Sequence, residues 1–318
     1  MLNRRVLGKS SIAVSEIGFG LWAAGGDFWG PTDDGVILDA IDYSLEHGIN
    51  FFDTADVYGD GHSERLLGKA MRGRRERFVV ATKIGWRGFS DETKSSAYTT
   101  AGKLVAGVES NLQRLQTDYL DVIQSHIDFQ DPTMEVFLEG FQRLQRDGKV
   151  RAYGVSTSDF DYLRAFNADG GCATLQVDYS ILNRTAERDI LPYCIENNIG
   201  VIVRGALAMG ILAGKFAAET RFPEGDFRSR WHENEDEYRI YLNDLALVER
   251  LRPLAQGHSL AQLALQFTLA HPAVSAVIPG IKDPAQASSN IAAGTMTVPL
   301  DGIDKIVPPG GGRKIWPA

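Results

Sequence analysis

The chain has 318 residues, 44% hydrophobic and 9% aromatic, enough to bury one large barrel or two ordinary domains. Its formal net charge of -8 argues against a nucleic-acid partner, because phosphate binding needs clustered basic surface. The two cysteines, Cys172 and Cys194, sit in no CxxC or metal-ligand spacing, so neither a disulfide framework nor a metal site is expected.

The N-terminal stretch MLNRRVLGKSSIAVSE lacks the apolar core of a signal peptide, and no segment approaches the roughly 18 uninterrupted apolar residues of a membrane span. A cytoplasmic protein with no membrane partner is expected; oligomeric state is not legible. Residues 1–16 read as a short hairpin. Eight apolar runs then follow: IGFG (17–20), INFFDTA (49–55), RFVVATK (77–83), YLDVIQSH (119–126), VRAYGVS (150–156), TLQVDYS (174–180), GVIVRGAL (200–207) and SAVIPGI (275–281). Helical patterns separate them. In the first spacer Thr32 reads as N-cap, Asp33 and Asp34 favour the first turn, and Gly48 ends the helix. Val36, Ile37, Ala40, Ile41 and Leu45 form one stripe at helical period.

Eight strand–helix units, several with strands apolar on both faces, predict an α/β fold: a single (β/α)8 TIM barrel spanning 1–307, with its active site at the C-terminal face of the strands. Residues 216–250, charged and aromatic, read as a loop and helix inserted after the seventh barrel strand. The Pro/Gly-rich tail 308–318 is expected to be poorly ordered unless Trp316 docks.

Chemistry in such a barrel gathers at the strand C-termini. Asp53 follows the second run, Lys83 closes the third, His126 closes the fourth, and Tyr58 lies five residues past Asp53. A tyrosine with a pKa of about 10 is a poor acid near neutrality. A neighbouring Lys83 ammonium is expected to lower that pKa, Asp53 to keep the ammonium charged, and His126 to orient a carbonyl oxygen. The set suits proton delivery to an oxygen that gains charge as hydride adds to a carbonyl. It holds no nucleophile–base pair of the hydrolase kind. Asp56 has no part in this scheme and reads as a turn residue; Gly59, Gly61 and Ser63 read as shaping the turn and capping a helix that begins near Glu64.

With those residues in place, the sequence resembles the aldo-keto reductase family. FFDTADVYGDGHSERLLGKAM is similar to the family signature D-T-A-x-x-Y-G followed by S-E-x-x-L-G; VVATK resembles its lysine strand and LDVIQSHIDF its histidine strand. GVS (154–156), MGILAGK (209–215), PEGDFR (223–228) and IPGIKDPAQASSN (278–290) follow in the family's order, so the likeness runs from about residue 4 to 293. The resemblance implies a metal-free NAD(P)H-dependent carbonyl reductase without a Rossmann domain, in which Tyr58 is the general acid, Lys83 and Asp53 tune it and His126 orients the substrate. It places the nicotinamide against Gly20, Leu21, Trp22 and Asp53, with Ser156 and Gln176 on its carboxamide. The pyrophosphate falls under the loop from Gly205 through Leu207 and Gly210 to Lys215, and the adenosine near Gly280, Lys282, Gln286 and Asn290. Lys282, just before a helix N-terminus, suits a 2′-phosphate, so NADPH is favoured, with NADH as the other candidate.

Two positions depart from the family pattern. Thr157 stands where many members carry asparagine, and Arg204 where many carry an aromatic ring that stacks on the nicotinamide; a planar guanidinium can also stack. The stretch GFGLWA (18–23) matches the Rossmann G-x-G-x-x-A, but AGGDFWGP follows it, where the fingerprint needs a helix to open.

The substrate pocket is read as Trp22, Trp29, Tyr58, Trp86 and His126, with Phe28, Phe89, and Trp231 or Tyr238 as further aromatic walls and Asp27, His62, Arg87 and Asp128 as polar additions. It suits an aldehyde, a ketone or the apolar face of a sugar. Besides reduction, three readings remain: an NAD(P)+-dependent aldose dehydrogenase using the same four residues, a Schiff-base aldolase on Lys83, and a cofactor-sensing regulatory subunit.

Overall fold

The computed structural model describes residues 2–26, 28–85, 98–126 and 133–313. Strands β1 (Arg4–Val6) and β2 (Ala13–Ser15) pair antiparallel, Val6 opposite Ala13, as the expected hairpin. Each of the eight apolar runs then forms a strand: β3 (Phe19–Gly20), β4 (Phe51–Asp53), β5 (Val79–Ile84), β6 (Leu120–Ser125), β7 (Val150–Ser156), β8 (Thr174–Asp178), β9 (Gly200–Arg204) and β10 (Val274–Val277). They lie in chain order in one parallel sheet. The sheet curls shut: Gly18 N donates to Val277 O (2.8 Å), Val277 N to Glu16 O (2.9 Å) and Gly20 N to Pro279 O (3.1 Å). These residues form the (β/α)8 barrel that the run spacing predicts.

Strands apolar on both faces make two cores. Phe51, Ala81, Val122, Ala152, Ile202 and Ala276 point into the barrel, where Leu7, Ile12 and Val14 of the hairpin join them. The hairpin stoppers the end opposite the strand C-termini; Gly8 approaches so closely that a Cβ there would lie 2.3 Å from Gly200 N. Near that same end Asp121, buried at the start of β6, accepts from Arg75 and Arg151 and from Val80 N, tying three strands together. The larger core lies between sheet and helices.

Helices α1 (Asp34–Glu46), α2 (His62–Met71), α3 (Ala101–Leu115), α4 (Thr133–Arg146), α5 (Phe160–Phe166) and α6 (Ile190–Glu196) follow the first six barrel strands in turn. In α1 Ile37, Ala40, Ile41 and Leu45 are buried as the stripe predicts, each large aliphatic contributing about 1.5–3 kcal/mol. Val36 is exposed instead. The cap also differs by one residue: Asp33, not Thr32, is N-cap, its Oδ1 accepting from Val36 N at 3.0 Å. Both residue types can cap, and the helical phase of the buried stripe selects the second.

The insertion contains a 3-10 turn (Phe227–His232) and helix α7 (Glu235–Leu251), before α8 (Leu260–Ala270), β10, α9 (Pro284–Ala293) and α10 (Ile303–Ile306). The first part of the tail is tied down, contrary to its Pro/Gly composition. Gly310 N donates to Glu187, Arg188 to Gly310 O, and Arg313 pairs with Asp244. Trp316 lies outside the described residues.

Candidate active site

Register and strand length bring three predicted residues to one mouth. Gly20 pairs with Asp53, and Lys83 pairs with Gln124 beside it on β6. His126 follows β6 directly, its backbone N–H on Ile84 O at 3.0 Å. Asp53, Lys83 and His126 are all buried. Lys83 Nζ donates to Asp53 Oδ1 at 2.6 Å and to Thr54 O at 3.0 Å, and lies 3.4 Å from the Tyr58 hydroxyl. Tyr58, part-buried, stacks near Trp22 at 6.0 Å between ring centroids and meets His126 edge-on at 5.6 Å.

Burial is the largest influence on all four. It pulls Lys83 down, but the Asp53 carboxylate beside it wins and holds the ammonium above its usual range. It pushes Asp53 up against the pull of Lys83. His126 is driven well below its ordinary value by burial and then by Lys83 and Arg204, so its imidazole is neutral. Tyr58 departs from expectation. Burial raises its pKa, and the Lys83 ammonium only partly offsets that. The phenol therefore keeps its proton near neutrality.

Gln176 is drawn into the same cluster. Its Nε2 donates to Asp53 Oδ2 at 2.9 Å and to Gln124 Oε1 at 3.3 Å, and Gln124 Nε2 reaches Thr174 Oγ1 at 3.1 Å. The expected carboxamide contact is left to its oxygen. Polar glutamines facing each other inside an apolar barrel were the available signal, and the sequence reading missed Gln124.

A second missed cluster stands behind the site. Glu64, fully buried in the first turn of α2, accepts from Thr82 Oγ1 at 2.5 Å and from Arg114 Nε at 2.6 Å. Arg114 Nη2 donates to Asn111 Oδ1 at 2.7 Å. Helix α2 starts at His62 with Gly61 as N-cap, so Ser63 is not the cap; its hydroxyl binds Thr54 Oγ1 (2.7 Å) and Leu21 O (3.0 Å). Asp56 is more than a turn residue: its N–H donates to Lys83 O at 3.2 Å, and burial, then Glu64, pushes its carboxyl up to about 8.

Of the expected cofactor residues, Gly20, Leu21 and Trp22 border Asp53, with Leu21 N on Asp53 O at 2.9 Å. Ser156, Gln176 and Arg204 occupy the C-terminal parts of β7, β8 and β9. Gly205 (φ +69°) and Gly210 (φ +94°) take conformations that favour glycine, in the loop that carries Leu207 and ends at exposed Lys215. Around Gly280 a Cβ would meet nothing within 4 Å, so open space adjoins the backbone. Lys282 Nζ donates to Trp29 O and its N–H to Gln286 Oε1 (3.0 Å); Asn290 is buried one turn on. Asp283 caps α9 through Gln286 N (2.7 Å), so the helix N-terminus is already held by a carboxylate.

Of the residues expected to line a substrate pocket, Trp22 and Trp29 meet edge-on at 5.1 Å, and Phe227 of the insertion stacks on Trp22 at 5.9 Å, its N–H on Phe28 O at 3.1 Å. Phe227, rather than Trp231 or Tyr238, brings the insertion to Trp22: Trp231 stacks on Tyr241, and Tyr238 bonds Ala218 O. His62 pairs with Asp34 at 2.8 Å. Asp27, Trp86, Arg87, Phe89 and Asp128 lie outside the described residues.

A sequence model of the aldo/keto reductase family matches residues 16–307. Aldo-keto reductase YhdN from Bacillus subtilis (strain 168) is 32% identical over 287 residues, covering 88% of this chain and 85% of its own. The solved glycerol dehydrogenase from Gluconobacter oxydans superposes with a TM-score of 0.80 at 32% identity, over 96% of both chains. An aldo-keto reductase from Klebsiella pneumoniae, solved in complex with NADPH, gives 0.73 at 27% identity over 97% of this chain and 96% of that one. With the barrel and its site geometry, the match over nearly the whole chain makes this protein an oxidoreductase of the aldo/keto reductase family.

Proposed function

We propose that the chain reduces an aldehyde or ketone to the alcohol with NADPH, with Tyr58 delivering the proton. The observation that carries this reading is the Lys83 ammonium held between Asp53 Oδ1 at 2.6 Å and the Tyr58 hydroxyl at 3.4 Å. When bound, the dihydronicotinamide supplies the hydride. Neutral His126 donates its ring N–H to the carbonyl oxygen without adding charge. As that oxygen gains negative charge its basicity overtakes that of the phenolate, and Tyr58 gives up the proton that burial otherwise keeps on it. Lys83, charged because Asp53 stands against it, stabilises the phenolate left behind.

The residues fit such a cofactor. Open space beside Gly280, left-handed glycines at 205 and 210, and the ammonium of Lys282 follow one another around the mouth. Support for NADPH comes from Lys282 and from the NADPH complex of the Klebsiella relative; NADH, which lacks the 2′-phosphate, is the second candidate.

The glycerol dehydrogenase relative favours a second reading, oxidation of a polyol or aldose by the same residues. Initial rates in both directions with NADPH, NADH and their oxidised forms decide between them. Faster turnover of aldehydes with NADPH supports reduction; faster oxidation of aldoses than reduction of any carbonyl overturns it. A borohydride-stable substrate adduct on Lys83 would replace both with aldolase chemistry.

A further inference from the structure

Arg204 is a cation in the mouth with no anion assigned to it. It ends β9 in register with Asp178 of β8 and is partly buried. Asp178 makes no ion pair with it: that carboxylate accepts from Asn183 Nδ2 at 2.8 Å and packs against the backbone of Gly205, where a Cβ would lie 2.3 Å from its Oδ1. Among the described residues no carboxylate lies within ion-pair distance of Arg204, and its guanidinium makes one long contact, Nη2 to Ser158 Oγ at 3.4 Å. A partly desolvated, unpaired charge is costly and calls for a use. Its field reaches the reacting groups, since it adds to the fall at His126 and offsets part of the rise at Tyr58.

We propose that Arg204 sets the oxidation-state preference of the site, favouring the neutral dihydronicotinamide over the cationic nicotinamide and so biasing the enzyme toward reduction. The inference rests on the proposed activity: a hydride donor must sit against the carbonyl carbon whose oxygen faces Tyr58, hence within the field of Arg204. Loss of hydride leaves one positive charge on the ring. A like charge several ångströms away, in a partly screened site, weakens binding of that form by about ten- to fifty-fold. The planar guanidinium still offers both forms a stacking face, so the effect belongs to the charge, not to contact area.

The test is binding, read by quenching of protein fluorescence or by calorimetry, with NADPH and NADP+ on the intact enzyme. The wild type is expected to hold NADPH at least about tenfold more tightly than NADP+. Arg204→Gln should bring the two affinities together, and Arg204→Lys, which keeps the charge without the plane, should retain most of the gap. Equal affinities in the wild type overturn the proposal without any variant. So does a gap that Arg204→Gln leaves unchanged, or a loss of affinity equal for both forms. If Arg204→Gln instead abolishes a preference for 3-carboxybenzaldehyde over benzaldehyde and spares the cofactor ratio, the guanidinium serves a substrate anion and the proposal is wrong. Failure of every nicotinamide dinucleotide to bind removes this proposal together with the activity beneath it, whereas equal binding of NADPH and NADP+ by an active reductase removes this proposal alone.

Discussion

Lys83 and Tyr58 are held 3.4 Å apart, ammonium to hydroxyl, by contacts that reach the two residues from opposite sides. On one side the Lys83 ammonium is fixed by Asp53 Oδ1 and Thr54 O. Behind β5, Glu64 grips Thr82, the residue before Lys83, while Ser63, next to it on α2, donates its N–H to Tyr58 O at 3.3 Å. The first turn of α2 is therefore a strut between the strand that carries the lysine and the turn that carries the tyrosine.

Breaking the buried ion pair tests that arrangement from the lysine. Lys83→Met leaves the Asp53 carboxylate buried without its partner, which costs about 3–5 kcal/mol of stability by urea unfolding, and it removes reductase activity. Asp53→Asn combined with Lys83→Met should be more stable than the lysine variant alone, because no uncompensated charge remains, yet equally inactive. A double variant no more stable than Lys83→Met would contradict the ion-pair account.

The strut is tested at Arg114. Arg114→Met strands Glu64, a fully buried carboxylate, and should also cost about 3–5 kcal/mol. Glu64→Gln removes the charge while keeping an acceptor for Thr82. It should be the milder change in unfolding experiments and should lower kcat more than it raises KM. A loss confined to KM would show that the cluster does not hold the reacting residues.

Asp56 gives a pH signature. Its carboxyl titrates at about 8 in the fold but at about 4 in the unfolded chain. Between these values the folded state binds more protons, so this group makes stability fall as pH rises from 4 toward 8. Asp56→Asn should flatten that slope, raising Tm relative to wild type more at pH 8 than at pH 5. An equal change at both pH values would contradict the buried, protonated carboxyl.

His126 has the opposite sign. Its folded pKa lies well below the ordinary value, so the unfolded chain binds the extra proton as pH falls through about 6.5, and stability is lost on that acid side. His126→Asn should weaken this acid-side loss of Tm and slow turnover. A kcat that falls as pH rises through about 6.5, and no longer does so in this variant, would mean that the imidazole works as a cation.

Much of this was legible in the sequence because the signals were local. A strand ending in Asp53, another in Lys83 and a third running into His126 are visible from runs of Val, Ile and Phe bounded by polar residues, and the barrel follows from counting those runs. Tyr58 has no periodicity of its own, and its place five residues past Asp53, beside the strand that ends in Lys83, is what marks it. What escaped were pairings set by closure of the barrel. Gln176 reaches Asp53 across 123 residues, and Arg114 reaches Glu64 across 50. The tail misled for the same reason: Pro and Gly predict little order, but Glu187 accepts from Gly310 N across 123 residues. The expected fall in the Tyr58 pKa does not occur because burial, which distance along the chain does not reveal, outweighs the nearby ammonium.

The central claim is that Tyr58 delivers the proton, and Tyr58→Phe tests it most directly. The change deletes one oxygen and keeps the ring against Trp22 and His126. Carbonyl reduction should fall by about 10²–10⁴ while the affinity for NADPH, read by fluorescence titration of the same preparation, stays near that of the wild type. A Tyr58→Phe enzyme that retains full reductase activity with undisturbed cofactor binding would contradict the account.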